Sequence, residues 1–519
     1  MTESKKTQRN KEKPKIVEEM GELTTPPTEA QATVPAEPEN ADEKEKEQDK
    51  KKPTPNILKC RDDQSPISFL SVQPTEEKPD LPAQFKLTET SLVPSWATRE
   101  TPFATDVLRS RIEPWLTALC QSEHLSLLIG SGLTHAVFGN ATGQILPGMG
   151  STDNWGTETE CVAKAVRASA EAAQRREGNI EDQIRVVNEL LRGLEILGKT
   201  DDSIEKRASC LRDKLSIVIG EFAASILRGE QELLKADGKK REDAFNLLVS
   251  FLMSFASRTG TRDRLHIFTT NYDRYIEVGA DLAGLHLLDR FVGSISPVFR
   301  SSRLDLDIHY NPPGIRGEPR YLEGVARFTK LHGSLDWIQS GNQIHRIGIP
   351  FGSKKIDPYL EDHDSANPFK LMIFPNAAKD RETALFPYVE LFRDLASAIC
   401  RPNHTLITFG YSFGDEHINR VIEDMLTIPS THLVLISRSD PMNRIMATYE
   451  KTSRHDQMTL MIGEHVGDFK NLVDLYLPKS AIDRATFRMM ELLKQRFPTH
   501  EEKHEPKPEV TAAPPENEG

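Results

Sequence analysis

The stretch FTTNYDRYIE, Phe268 to Glu277, marks the place where an apolar run gives way to polar residues and then to a helical pattern. The run that starts at Leu265 predicts a buried strand, and Asn271 and Asp273 follow directly after it. Both residue types cap helices well, so turn chemistry alone accounts for their presence. The competing interpretation is that the strand delivers their polar groups to a ligand.

Similar apolar runs recur along the chain, with helical patterns between most of them. The predicted strands are Leu125–Ile129, Leu265–Thr269, Phe328–Leu331, Leu371–Phe374, Thr405–Phe409 and Leu433–Ser437, and predicted helices include Thr105–Gln121, Phe386–Cys400, His417–Leu426 and Met442–Glu450. This alternation predicts an α/β fold, a Rossmann-like parallel sheet with helices on both faces. Ligands of such sheets bind beyond the carboxyl ends of the strands. Each polar cluster at a strand end is therefore a candidate site.

The first two predicted strands are separated by an unusually long segment. From Ile129 to about Asp153 it is rich in Gly, Thr and Asn, which predicts a loop. Residues 157–258 then carry only helical periodicity, seen most clearly at Ile184, Val187, Leu191 and Leu194 and again at Leu211, Leu215, Val218, Phe222 and Ile226. A hundred residues of helix is much longer than an ordinary crossover. We predict a helical insertion that serves assembly or gating.

Composition sets the limits of the folded part of the 519-residue chain. Residues 1–83 are rich in Lys, Glu, Pro, Thr and Gln and nearly lack aromatic side chains, as the run ADEKEKEQDKKKP illustrates. Such a segment buries too little apolar surface to offset its ordering entropy, which predicts disorder. Residues 499–519 predict the same. One large domain, residues 100–480, remains.

Charge and cysteine content exclude several classes of protein. A net charge of -12, with 66 Lys and Arg against 78 Asp and Glu, argues against direct nucleic-acid binding. No apolar run reaches 18 residues and the amino terminus lacks the apolar core of a secretory signal, so we expect no membrane span and a cytoplasmic protein. The five cysteines form no CxxC pair, which disfavours a zinc ribbon or a thioredoxin-type redox pair.

The polar cluster after the first predicted strand is LLIGSGLT, with Gly130, Ser131, Gly132 and Thr134. Two glycines in this place allow a tight turn and let a phosphate approach backbone N–H groups at the start of a helix. By itself the signal is weak, because Gly-x-Gly turns are more often structural. The full GxGxxG pattern and the Lys of a GxxxxGK[ST] loop are both absent, which disfavours ordinary dehydrogenases and ATPases.

Three further clusters stand at strand ends. Thr270, Asn271 and Asp273 belong to the opening stretch, and KLHGSLDW places His332 after a short strand, although a lone His is more often structural. ITFGYSFGDEHINRVIED places Gly410 and Ser412 after another. Its Asp-Glu-His sequence suggests a metal site, but acidic residues are favoured at a helix start by the helix dipole, so we expect no metal.

In order and in type, these clusters resemble the sirtuin (silent information regulator) family. GSGLT, residues 130–134, is similar to the family's Gly-Ala-Gly-Ile-Ser loop over the NAD pyrophosphate, TTNYD to its Thr-Gln-Asn-Ile-Asp, and His332 with Gly333 to its catalytic His-Gly. GYSFGDEHIN and FPNAAKD, which contains Lys379, look more like the bacterial sirtuin-like branch of anti-phage defence. The resemblance covers roughly Leu125 to Ser437, interrupted by the insertion.

What the resemblance implies is an NAD hydrolase with no zinc module, since the two Cys pairs of deacetylating sirtuins are missing. NAD is then the substrate, and no metal is required. Defence-branch relatives deplete NAD in abortive infection and are often held in an oligomer that a sensor releases. The resemblance therefore implies a homo-oligomer and a separate sensor protein, such as a HerA-type ATPase. The trigger, the oligomer size and the product, ADP-ribose or a cyclic form, stay open.

The residues receive roles on chemical grounds. The amide of Asn271 orients a water or the ribose, and the imidazole of His332 takes a proton near neutral pH. Asp273 either holds the nicotinamide end or caps the following helix. The NAD-binding set is Gly130, Ser131, Gly132, Thr134, Thr270, Asp273, Gly410, Ser412 and Ser437. Two alternatives remain: a module that senses NAD or ADP-ribose without turnover, and a zinc-independent protein deacylase.

Overall fold

The computed structural model describes residues 54–72, 83–146, 152, 154–172, 178–257, 263–302, 307–310, 320–356, 371–373 and 386–479. The helices are α1 (Thr105–Cys120), α2 (Ser131–Thr142), α3 (Thr159–Ala172), α4 (Ile180–Gly198), α5 (Asp202–Lys235), α6 (Gly238–Ala256), α7 (Tyr275–Ala283), α8 (Tyr388–Ile399), α9 (Glu416–Leu426) and α10 (Arg444–Lys451). Short helical segments at Phe469–Asn471 and Leu472–Tyr476 follow the last strand.

The strands are β1 (Asn56–Lys59), β2 (Ile67–Val72), β3 (Gln84–Leu87), β4 (Phe103–Ala104), β5 (His124–Ile129), β6 (His266–Thr269), β7 (His286–Leu288), β8 (Phe291–Val292), β9 (Val298–Phe299), β10 (His309–Tyr310), β11 (Arg320–Tyr321), β12 (Val325–Lys330), β13 (Gly333–Ser340), β14 (Gln343–Arg346), β15 (Leu371–Ile373), β16 (His404–Phe409), β17 (His432–Ser437) and β18 (Met458–Ile462). Five predicted parallel strands are present as β5, β6, β12, β16 and β17, within one to three residues of the predicted limits.

One sheet of eleven strands dominates, in the order β4-β3-β2-β1-β18-β17-β16-β5-β6-β12-β7. From β18 to β7 all neighbours are parallel. Along the chain, β5, β6 and β12 extend the sheet in one direction and β16, β17 and β18 extend it in the other, which is the 3-2-1-4-5-6 order of Rossmann folds. The predicted α/β fold class is confirmed.

Alternate side chains of these strands enter two separate cores. On one face Leu127 and Ile267 pack with α1, α2, α6 and α7, and on the other Leu128 and Phe268 pack with α8, α9 and α10. Because both faces are buried, the strands read as continuous apolar runs rather than as an alternating pattern. This is why they were recognisable in the sequence.

The amino-terminal prediction is wrong in part. Within residues 1–83, which were predicted to be disordered, β1 and β2 form an antiparallel ribbon that joins the main sheet through β18. Leu58, Ile67 and Phe69 are fully or almost fully buried there. The composition of the whole window hid two short apolar segments, which gain order by pairing with an existing sheet edge. The predicted tail 499–519 lies outside the described residues.

Two more predictions need correction. The segment after Ile129 was predicted to be a loop, but it forms α2, whose Leu133, Val137 and Phe138 are fully buried. Tertiary packing against α6 overrides its poor helix propensity. The strand predicted from Leu371 is β15, which belongs to a second, antiparallel sheet of order β15-β13-β14-β9-β8.

The helical insertion has two parts with different cores. Helices α3, α4 and α5 share a cluster of their own with side chains of the five-stranded sheet, among them Leu335 and Ile338. Helix α6 instead places Leu248, Phe251 and Phe255 in the core of the main sheet, next to α2 and α7. The inserted lobe is therefore residues 159–235, and α6 is the crossover helix of the sheet itself. We call α3, α4 and α5 the inserted lobe below.

Candidate active site

The carboxyl ends of the parallel strands bring the predicted clusters to one edge of the sheet. Along that edge stand the residues after β12, β6, β5, β16 and β17, in this spatial order. The chain reverses its direction of travel between β5 and β16, which is where Rossmann folds open their binding crevice. Loops that are far apart in sequence thus become neighbours at the edge.

Asn271 lies at the end of β6 and is 6% exposed. Its Nδ2 donates to the carbonyl of Gly130 at 3.0 Å and to Oγ1 of Thr134 at 3.0 Å. The carboxamide is therefore held by the end of β5, and its orientation is fixed. Its Oδ1 is buried and has no hydrogen-bond partner among the described residues. A buried acceptor in this state can take a hydrogen bond from a ligand or from a water.

Thr134 and Asp273 complete this polar chain. The Thr134 hydroxyl donates to Asp273 Oδ2 at 2.6 Å, while the backbone N–H of Tyr275 donates to Asp273 Oδ1 at 3.2 Å. Both carboxylate oxygens of Asp273 therefore have partners inside the protein. Of the two roles predicted from the sequence, this geometry favours the structural one, a brace at the start of α7.

His332 follows β12 and pairs with a carboxylate from a distant part of the chain. Its Nε2 lies 2.7 Å from Oδ2 of Asp415, and both side chains are largely buried. A carboxylate that accepts the proton on Nε2 fixes the tautomer and the orientation of the imidazole ring. The two residues form an Asp–His dyad of the kind that serves general acid–base chemistry.

Asp415 is a candidate functional residue that the sequence analysis missed. It was interpreted as an acidic residue opening a helix, and α9 does begin at Glu416 with Asp415 at its amino-terminal cap position. Its side chain, however, makes no capping hydrogen bond and turns to His332 instead. The pairing joins the ends of two strands that are not adjacent in the sheet. Within the described ranges no group of three His, Cys, Asp or Glu side chains is arranged to hold a metal ion.

The Asn271 and His332 loops leave neighbouring strands. β6 and β12 pair in parallel, with Thr269 opposite Lys330, and the N–H of Leu331 donates to the Thr269 carbonyl at 2.8 Å. The rings of Tyr272 and His332 are 6.3 Å apart between centroids. The Asn271 and His332 loops thus leave the sheet side by side, and Tyr272 is the residue of the first loop whose ring approaches the imidazole.

The glycines of the first loop are required by packing between two strand ends. A Cβ on Gly130 would lie 2.4 Å from the Gly410 carbonyl oxygen, and one on Gly132 would lie 2.5 Å from Gly410 Cα. The N–H groups of Gly130 and Gly132 donate to the carbonyls of Phe409 and Gly410, both at 3.0 Å. Gly410 itself has φ of +60°. These contacts account for the glycines without a phosphate.

The other predicted binding residues are spread along the edge. Thr270 is half-buried, and its backbone N–H donates to the carbonyl of Ile129 at 3.2 Å. Ser131, the first residue of α2, and Ser412 are exposed, while the hydroxyl of Ser437 donates to the Ser439 carbonyl at 2.8 Å. Lys379, which contributed to the resemblance, lies outside the described residues.

Lys330, another residue that sequence reasoning did not single out, is a buried cation beneath the His332 loop. It is 2% exposed, and its Nζ donates to Glu277 Oε1 at 2.8 Å and to the carbonyl of Asp273. Burial raises the pKa of the Glu277 carboxyl, and the charge of Lys330 partly opposes that rise. The ammonium joins the end of β12 to the start of α7, so the loops that carry Asn271 and His332 are stabilised by the same cation.

None of the helices in the described segments is both long and apolar enough to cross a bilayer. No curated protein matches the chain. A family model does match residues 265–458, and its description is the SIR2-like domain. The matched segment runs from β6 to the start of β18 and contains Asn271, His332 and Asp415. This part of the chain is therefore similar to the SIR2-like domain, a family of NAD-using enzymes.

Proposed function

We propose that this protein hydrolyses the bond between nicotinamide and ribose in NAD. The observation that carries the proposal is the buried Oδ1 of Asn271, which has no hydrogen-bond partner among the described residues, on the loop next to the one that holds the Asp415–His332 dyad. One group can orient a water or a ribose hydroxyl, and the other can accept a proton. The match of residues 265–458 to an NAD-using family supports a dinucleotide as the ligand.

The order of the loops suggests how a dinucleotide would lie. The nicotinamide end belongs with Asn271 and His332 at β6 and β12, and the pyrophosphate with the amino terminus of α2, whose dipole favours an anion. The adenosine end then reaches Ser412 and Ser437 after β16 and β17. From β12 to β17 there are four strand intervals, about 19 Å at a spacing of about 4.8 Å.

Cleavage of the nicotinamide–ribose bond needs little general acid catalysis at the leaving group. The pyridinium nitrogen of NAD leaves with the bonding electron pair and becomes neutral, while positive charge develops on the ribose as in glycoside hydrolysis. Asn271 Oδ1 accepts a hydrogen bond from the attacking water and aims its oxygen at C1′. His332 takes the proton released by that water, with Asp415 stabilising the charged ring. The products are nicotinamide, ADP-ribose and one proton.

The absence of CxxC pairs from the sequence removes the zinc module beside which deacetylating sirtuins bind acyl peptides. This supports hydrolysis rather than protein deacylation.

The proposal also covers the biological role of the reaction. We infer NAD depletion in anti-phage defence, by a homo-oligomer that a separate sensor such as a HerA-type ATPase releases.

The direct experiment incubates the purified full-length protein with NAD, with and without a candidate sensor, and measures nicotinamide and ADP-ribose. We expect Asn271→Ala and His332→Ala each to lower the rate at least about 100-fold, the usual loss when an aligned polar group is removed from a reaction centre. Asn140→Ala and His286→Ala, at two positions outside the site, are the matched controls. NAD binding without nicotinamide release would show a sensor, and deacylation of an acetyl-lysine peptide would show a deacylase.

A further inference from the structure

The loop from Thr270 to Tyr275 has two sides with different partners. Asn271 and Asp273 contact the end of β5, as described above. The residues between and after them, Tyr272, Arg274 and Tyr275, contact the inserted lobe instead. Successive side chains of the loop thus alternate between the end of β5 with the start of α2 and helices that are more than 30 residues away in sequence.

The strongest of these contacts joins Arg274 to Glu230 of α5. Arg274 Nε and an η nitrogen donate to the two carboxylate oxygens at 3.1 and 2.5 Å, so the pair is bidentate. The side chains of Glu230 and Arg274 are 0% and 9% exposed. The second oxygen of Glu230 also accepts the N–H of Gly352 at 3.1 Å, and the guanidinium donates to the carbonyls of Ile349 and Pro350. A planar guanidinium enclosed in this way has one orientation.

Tyr272 and Tyr275 add independent contacts. The Tyr272 hydroxyl donates to Glu181 Oε1 of α4 at 3.2 Å, and its ring packs edge-on against Phe222 of α5 at 5.8 Å. The Tyr275 hydroxyl donates to the carbonyl of Gly229 at 3.3 Å. The backbone of Tyr272 is fixed as well, since its carbonyl accepts the N–H of Leu335.

We propose that the inserted lobe positions the carboxamide of Asn271 through these contacts, with Arg274 and Tyr272 as positioning residues. The lobe contacts Tyr272, which follows Asn271 in the chain, and Arg274, two residues further on. A shift of α5 therefore moves the backbone of the loop and with it the Cα atom of Asn271. Displacements of about 1 Å at a reacting group are enough to cost roughly 100-fold in rate. The inference rests on the proposed NAD hydrolysis and assigns the lobe a part in it.

This arrangement links the rate to the position of the lobe. The lobe touches the loop through Glu181, Phe222, Gly229 and Glu230, which lie on two helices of one packed cluster. Any partner or second copy that displaces α4 or α5 relative to the sheet would then act on Asn271.

The test compares Glu230→Gln and Tyr272→Phe with the unmodified protein. Glu158→Gln is the matched control, because Glu158 is also a buried carboxylate of the same region, paired with Arg207 at 2.8 Å and remote from the loop. The first readout is the partition of the cleaved ADP-ribosyl group between water, giving ADP-ribose, and labelled nicotinamide, giving labelled NAD. Both products come from the same active molecules, so their ratio does not depend on the fraction of the protein that is folded.

We expect Glu230→Gln to slow hydrolysis at least about 10-fold and to raise the ratio of exchange to hydrolysis several-fold, because the water loses its alignment. Tyr272→Phe should shift the ratio in the same direction and less, with the fold intact. Glu158→Gln should leave the ratio as it is. An unchanged ratio in both loop-facing variants overturns the proposal, even if both are less stable.

A second readout does not need turnover. Amide hydrogen exchange of the peptide covering residues 270–276 should speed up in Glu230→Gln and Tyr272→Phe and stay slow in Glu158→Gln. If the unmodified protein cleaves no NAD, the proposed hydrolysis fails, while the exchange of this peptide still decides whether the lobe holds the loop. Equal protection of the loop in all four proteins refutes the positioning role.

Discussion

The loops after β5 and β6 leave the same edge of the sheet side by side, and they use their polar groups in different ways. After β5, the N–H groups of Gly130 and Gly132 are both taken by carbonyls of the neighbouring β16 end. After β6, Asn271 Nδ2 donates to the Gly130 carbonyl, whereas its buried Oδ1 has no hydrogen-bond partner in the described part of the chain. Packing between strand ends is enough to explain the two glycines of the first loop, whereas it does not explain the Oδ1 of Asn271. The difference separates residues that the fold requires from a polar atom that it leaves available, at positions that looked equally suggestive in sequence.

The largest expected effect comes from breaking the first loop. Gly132→Ala places a Cβ 2.5 Å from Gly410 Cα, so the backbone of one of the two strand ends must shift. We expect the free energy of unfolding to fall by about 3 kcal/mol, the upper range for overpacking. Gly139→Ala in the same helix is the control, since its nearest neighbour would be 3.7 Å away, and there alanine should be neutral or stabilising. Urea unfolding measures both, and equal shifts would contradict the packing account.

The next effect concerns the dyad that faces the second loop. Asp415→Asn retains the size of the side chain but removes the negative charge from the group that pairs with His332 Nε2. We expect NAD cleavage to slow about 100-fold, with NAD binding nearly unchanged. Glu416→Gln, the exposed neighbouring residue, should change neither. Steady-state kinetics of the three proteins decides, and a rate within twofold of the unmodified protein removes Asp415 from the mechanism.

His432, at the amino-terminal end of β17, is a buried structural histidine that can be compared with His332. Burial, reinforced by the charge of Lys59, lowers the pKa of His432 from 6.5 to about 4, and its Nε2 contacts Thr459 Oγ1 at 2.8 Å. The unfolded chain therefore binds a proton in the window from 6.5 to 4 that the folded chain does not, so stability falls as pH falls through it. The loss is about 2 kcal/mol by pH 5. His432→Gln should flatten this part of the stability–pH curve, and an unchanged curve would show that other groups control it.

The smallest effect probes the hydroxyl that joins the two loops. Thr134→Val removes the acceptor of Asn271 Nδ2 and the donor to Asp273 while keeping the shape of the side chain. We expect a loss of about 1 kcal/mol in stability, the net value of such hydrogen bonds. Thr142→Val, at a hydroxyl bonded only to its own helix carbonyl and a neighbouring N–H, should cost less. Thermal unfolding compares them. If the two losses are equal, the Thr134 hydroxyl does not stabilise the contact between the two loops more than a local hydrogen bond does.

Much of the fold was predictable because the parallel strands are buried on both faces. Runs such as Leu125–Ile129 and Thr405–Phe409 stand out from their surroundings, and their order along the chain is enough to predict a doubly covered sheet. The predictions failed where a short element depends on a distant partner. β1 and β2 need the edge at β18, and α2 needs α6, so local composition gave no sign of either.

By itself the sequence determined the class of fold, the strand ends that carry polar clusters, and the candidate pair Asn271 and His332, because strand periodicity and turn chemistry are local. Only the tertiary structure decided what those groups can do. In the fold, the glycines of the β5 loop pack against the end of β16, and both carboxylate oxygens of Asp273 accept hydrogen bonds. Asp415 pairs with His332, and the inserted lobe contacts Tyr272 and Arg274. Each of these outcomes depends on contacts between segments far apart in the chain, whose geometry no local pattern encodes.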